Sequence, residues 1–171
     1  MSKTRIQKRQ STKSKQTTKS KRYTRTTKFL PKIKSVQRTN SQNSHLVKVF
    51  FEMLNMVKLY HWKTHSHAQH KATDELYAKL NEHIDRFIEV LLGKLNNVNK
   101  SNDRIKMMEK RIDLIDSNNV KDFKTRIFEY REFLTEFNMQ FDSKNDSDLL
   151  NIRDEILADI NQFLYLMSFD K

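Results

Sequence analysis

Chain breakers are almost missing from this sequence: it has one proline, Pro31, and one glycine, Gly93, in 171 residues. A sheet protein needs tight turns, and such turns draw on Gly and Pro for their special backbone geometry. With neither in supply, the punctuation left is Asn, Ser and Asp, and the chain is suited to long helices joined by polar links. Apolar periodicity agrees. Leu46, Val49, Phe50, Met53, Val57 and Tyr60 recur at three- and four-residue steps, predicting a first helix that starts near Ser44 as its cap. Val47, Phe51, Leu54 and Leu59 widen its apolar face, so this helix should be covered on more than one side. A second helix is expected over about 67–97, with Ala72, Leu76, Leu80, Ile84, Phe87 and Leu91 as its stripe. Ile105, Met108, Ile112 and Ile115 place a shorter helix within 101–116. Val120, Phe123, Ile127, Tyr130, Leu134, Phe137 and Phe141 alternate in steps of three and four, the seam of near-parallel helix packing. After a turn over 142–147, Leu149, Ile152, Ile156, Ile160, Phe163 and Met167 give a fourth long helix. The fold class is all-α: a four-helix bundle with a short helix between the second and third.

Charge divides the chain in two. Residues 1–44 hold fourteen Lys and Arg and no acid, whereas residues 45–171 hold nineteen basic and twenty-one acidic side chains. A nearly neutral body of 45–171 therefore follows a cationic arm of 1–44. That arm has no apolar period and repels itself, so the expectation is a disordered segment. Its cations are Lys3, Arg5, Lys8, Arg9, Lys13, Lys15, Lys19, Lys21, Arg22, Arg25, Lys28, Lys32, Lys34 and Arg38. Neutralised phosphates release counterions, which makes nucleic acid, DNA first, the expected partner without sequence readout. A short apolar interruption, Phe29-Leu30-Pro31, suits docking on the body or on a partner. No apolar run approaches the eighteen or so residues of a membrane span, and no secretory apolar region opens the chain. The expected location is therefore intracellular (cytoplasm, nucleoid, nucleus or virion). The absence of Cys excludes disulfides and thiolate metal sites.

The stretch from His61 to Gly93 carries the chemistry. It holds five of the six histidines and ends in Asp85 and Glu89, which are four apart and so share a helical face. His61 and His65 have the same spacing, and His67 and His70 are three apart. Imidazole with carboxylate, and no sulfur, suits iron, zinc or manganese. On one continuous helix, however, His70 and Asp85 are separated by about 22 Å of rise. One chain cannot bring them to a single ion, whereas two chains related by a two-fold axis could.

His-Trp at 61–62, a later histidine at 70, and D-x-x-x-E fifteen residues on, closing in an apolar run and Gly93, resemble the Dps mini-ferritins, the DNA-binding ferritin-like proteins. The resemblance spans roughly 45–169, and 61–93 is its specific part. It implies a ferritin-like four-helix bundle, two-fold dimers within a hollow, usually dodecameric shell, and a ferroxidase site shared between subunits. His61 and His70 would come from one chain, Asp85 and Glu89 from its mate, with Trp62 near the site. Ferrous iron would be oxidised, typically by peroxide. The step from His61 to His70 is nine residues where the family usually has twelve, the shortening falling between the first two helices. That leaves three outcomes open: a tightened loop with the site kept, His65 or His67 in a ligand role, or a lost site. The Glu-x-x-His signature of ordinary ferritins is absent. A rival function keeps the fold and drops the chemistry, making the bundle an oligomeric platform whose multiplied arms compact or package nucleic acid.

Overall fold

The computed structural model describes residues 38–99 and 111–169. Most of the expected arm, 1–37, and the greater part of the expected short helix lie outside them. Four long helices make the body: α1 (Asn40–Lys63), α2 (His67–Asn99), α3 (Val120–Thr135) and α4 (Ser147–Leu166). There is no strand among the described residues.

α1 begins earlier than Ser44. Thr39 accepts the Gln42 amide on its hydroxyl, and the Gln42 side chain reaches back to the Thr39 N–H at 2.7 Å, a reciprocal capping box. Ser44 is buried inside the helix and donates to the Ser41 carbonyl. Two capped donors outweigh one, so the body starts several residues before the expected boundary. Between α2 and α3 a second difference appears. Residues 111–117, where Ile112 and Ile115 were expected to be helical, are irregular, and α3 starts at Val120 under an Asn119 cap. The chain there is held by side chains of α1 instead of by its own helical bonds.

The periodic stripes are the core. Every named seam position of α3 and α4 is buried except Val120, which is half-buried. Phe50, Phe87, Phe133, Phe137 and Phe141 interlock at one end of the bundle, with neighbouring centroids 5.1–6.4 Å apart and mostly edge-on or tilted. Full burial of one such ring is worth about 2–3 kcal/mol. At the other end Tyr60 stacks on Phe123, and Phe123 meets Phe163 edge-on. α3 gives way to a 3-10 turn at Glu136–Met139. There Arg153, buried on α4, donates to the Leu134 carbonyl and to Asn138, placing a cation at the C-terminal end of α3.

Packing runs α1–α2–α4–α3 and back to α1. Each neighbour pair is antiparallel: His61 late in α1 meets His70 early in α2, Lys94 late in α2 meets Asp148 early in α4, and Tyr60 late in α1 meets Phe123 early in α3. α2 and α3 therefore run parallel on a diagonal, and the described crossover residues 111–119 lie along α1 before α3 begins. Asp113 binds Lys48, while Asp116 and the Ser117 carbonyl bind Lys63, two anchors about 22 Å apart along α1. The Lys63 hydrogen bond holds Asp116 below the usual carboxylate range, with the Ser117 N–H adding to the effect.

Candidate metal centre

The α1–α2 link is three residues, Thr64, His65 and Ser66. Thr64 is extended and its N–H still donates to Tyr60, finishing α1, while Ser66 accepts the Gln69 amide and opens α2. So tight a link sets the last turn of α1 against the first turns of α2. His61 and His70 meet across it, their rings stacked with centroids 3.9 Å apart.

Their hydrogen bonds are reciprocal. His61 Nδ1 lies 3.0 Å from the His70 carbonyl, and His70 Nδ1 lies 3.0 Å from the His61 carbonyl. A carbonyl oxygen can only accept, so each Nδ1 carries the proton. In the neutral ring that leaves the lone pair on Nε2, the arrangement that orients metal-ligating histidines and raises their basicity. Thr73 reinforces it: its hydroxyl donates to the Gln69 carbonyl at 2.7 Å and lies 3.3 Å from His61 Nδ1. His61 is buried and His70 exposed, so the pair forms the edge of the bundle.

Two further residues approach the pair. Asp74 Oδ1 is 3.8 Å from His61 Nε2 and 3.8 Å from Lys58 Nζ. The Lys58 ammonium also sits over the rings of Tyr77 and Trp62. Spacing alone contained the signal, since Asp74 is four past His70 and Lys58 three before His61, one turn in each case. Trp62 follows His61 but points outward and is 69 % exposed. His65 and His67 are exposed and do not join the pair.

Asp85 and Glu89 lie four and five turns further along the unbroken α2, so they do not meet His70 within the chain. Both are exposed, because α2 turns Ile84, Phe87 and Leu91 inward and these two away. The neighbouring cations are engaged elsewhere. Arg86 pairs with Glu155, and Lys94 binds Asp148 at 2.8 Å and Asp146 at 3.5 Å. Among the described residues no cation neutralises Asp85 or Glu89, and no three His, Asp or Glu side chains of one chain gather as a metal cluster. The remaining histidine of the 61–93 stretch, His83, bridges α2 to α4, with Nε2 3.1 Å from Asp159 and Nδ1 3.3 Å from Glu155.

Of the arm's cations only Arg38 falls within the described residues, and it belongs to the body. Its guanidinium lies 4.4 Å over the Phe141 ring and donates to Asn43 Oδ1, Gln140 Oε1 and the Gln42 carbonyl. Burial pushes it down to about 10, partly offset by Asp146, so it stays charged at neutral pH.

Fold and site together define a four-helix bundle with one long crossover and a backbone-tied histidine pair at its hairpin end. The chain belongs to a family of unknown function, DUF5856, which matches residues 61–167 and so takes in His61, His70, Asp85 and Glu89. No curated protein and no solved structure matches it.

Proposed function

We propose that the protein is a Dps-like mini-ferritin: a ferritin-like bundle that binds and oxidises ferrous iron between two-fold-related subunits and holds nucleic acid through its basic arm. The observation that carries this reading is the His61–His70 pair, tied through Nδ1 so that both Nε2 lone pairs are available to a metal. The three-residue link is thus compatible with a tightened loop that keeps the pair. Two features support the rest. Packing in the order α1–α2–α4–α3 with a single long crossover is the connectivity of ferritin-like bundles. Asp85 and Glu89, exposed and with no cation beside them among the described residues, are free to meet the histidine pair of a second chain.

In this reading iron is the substrate. His61 and His70 bind it from one subunit and Asp85 and Glu89 from the mate, with Asp74 beside His61 as a further carboxylate. Two ferrous ions give one electron each to a peroxide, which leaves as two hydroxides, and the ferric product is stored within the shell. Carboxylates favour the ferric state by their charge and the imidazoles fix position. Exposed Phe51 and Trp62 on α1, with Ile112 and Leu114 on the crossover, supply an apolar surface for the mate.

The test is anaerobic titration of the purified protein with Fe(II), then peroxide, with light scattering to report assembly mass. Saturable Fe(II) binding and peroxide-driven oxidation by an assembly of even subunit number is the expected result. No Fe(II) binding by such an assembly would overturn the ferroxidase reading in favour of a packaging bundle without iron chemistry.

A further inference from the structure

The root of the arm is fixed at a defined place, and what lies next to that place is apolar. Arg38, the first described residue, is clamped on Gln140 and Phe141, beside the turn between α3 and α4. Beyond it, Phe128 on α3 and Tyr165 and Phe169 at the end of α4 are 41, 62 and 64 % exposed, and Met139 in the 3-10 turn is 58 % exposed. Arg131 lies over Phe128 and bonds Asn161 on α4, and Tyr165 is one turn beyond Asn161, packed edge-on against Phe169. Phe128, Tyr165 and Phe169 therefore share one face that spans both helices. Glu132 is exposed and Glu136 half-buried on the same side of α3, and no cation pairs with either among the described residues.

The arm has one segment that complements this face. Residues 28–36 read Lys-Phe-Leu-Pro-Lys-Ile-Lys-Ser-Val, with four large apolar side chains besides the proline, three lysines and no acid. Elsewhere in the first 28 residues apolar side chains are isolated. Length also fits. Phe29 is nine residues from Arg38, about 30 Å when extended, and Gln140 is about 20 Å from Phe128 along α3 and the 3-10 turn that follows it. Pro31 favours an extended backbone, which can lie along a helix pair without needing to fold first.

We infer that residues 29–36 dock in cis on the α3–α4 face of their own chain, apolar side chains on Phe128 and Tyr165 and lysines toward Glu132 and Glu136. The cationic arm presented to polyanions then shortens to residues 1–28, and Arg38 acts as the pivot of the docked segment. This rests on the placement of Arg38 and not on the iron reading.

The chain has no cysteine, so introduced thiols are unique. The full-length chain carrying Lys32→Cys and Phe128→Cys is oxidised mildly, alone and with Phe29→Ser, Leu30→Ser and Ile33→Ser added. Tether length is identical in the two, so any difference in rate reports docking. The expected result is a disulfide within one chain, formed about tenfold more slowly once the apolar side chains are removed, the factor set by a docking constant of about ten. Equal rates would overturn the inference, and so would a disulfide joining two chains, which would assign the face to a neighbouring copy. Alkylation of a lone Phe128→Cys gives a second measurement. It should quicken about tenfold in the triple-serine background, and an unchanged rate counts against docking.

Discussion

The two ends of the bundle are built from different materials. At the α1–α2 hairpin the side chains are polar and tied to backbone: paired imidazoles on carbonyls, Thr73 beneath them, Lys63 on the crossover. At the opposite end a cluster of phenylalanines closes the core, and Arg38 pins the root of a cationic arm on Phe141. About 36 Å of α1 separates them. Polar groups held in place suit a site that must orient a small cation, and an aromatic seat suits the root of a charged tether. Under the proposed function, iron chemistry and polyanion binding are mechanically independent, and each can be removed without the other.

Salt should separate the two ends most strongly. An arm engaging six to ten phosphates loses about three to five decades of affinity for duplex DNA between 50 and 200 mM salt. Fe(II) binding measured in the same buffers should hardly change. Iron binding that collapses in parallel with DNA binding would mean that the two ends are not separate.

Next in size are the ligands. His61→Ala and Asp85→Asn should each lower Fe(II) affinity by two decades or more, in keeping with the loss of a first ligand where even supporting residues cost about 10–100-fold. DNA affinity should stay the same. Mixing the two variants sharpens the result, since a mixed dimer has one site with both lesions and one intact. Recovery of Fe(II) sites on mixing is expected, whereas a site made within one chain could not recover.

Thr73→Val tests the backing of the imidazole pair more gently. It removes the hydroxyl near His61 Nδ1 while keeping shape, and it should weaken Fe(II) binding about tenfold with circular dichroism unchanged. No effect would mean that the two carbonyls alone orient the rings.

These contrasts show what the sequence could and could not disclose. Helix count and core were legible because burial follows apolar period, and the stripes from Leu46 to Met167 turned inward as their spacing required. His61 and His70 could be singled out by residue type, but their stacking could not. It depends on how tightly three link residues fold back, and backbone carbonyls, which leave no mark in a sequence, complete the arrangement. Asp74 and Lys58 were readable at one-turn spacing, yet many charged residues share such spacing and only the fold selects these two. Arg38 looked like one more cation of the arm. What set it apart is Phe141, about a hundred residues away, and no local pattern connects them. The helical register of Ile112 and Ile115 misled for the opposite reason, because Lys48 and Lys63 hold the crossover against α1 in a conformation its own side chains do not choose.

At the arm end, Arg38→Ala should lower global stability by about 2 kcal/mol through lost charged hydrogen bonds. Fe(II) affinity should be unaffected, and limited proteolysis should begin to cut near the start of α1. The slope of DNA affinity against salt should not change, because Arg38 is spent on the body. A slope reduced by about one would return Arg38 to the phosphate ligands.

The smallest expected effect is one in which the two ends behave alike. Asp116 is held below the ordinary carboxylate range by Lys63 at the hairpin end, and Asp148 by Lys94 at the arm end. A depressed carboxylate contributes stability that is present above its unfolded value, near 4, and lost as pH falls through the lower folded value. Both side chains are well exposed, so solvent screens each pair and neither contributes much. Thermal unfolding followed from about pH 5 to about pH 2 should therefore show a slight added loss of stability in the wild-type chain. Asp116→Asn and Asp148→Asn should each remove a similar part of that loss while lowering stability a little at neutral pH. If Asp116→Asn alone flattens the acid limb, the crossover is held mainly by Lys63, and the hairpin end depends on that contact more than the arm end depends on its own.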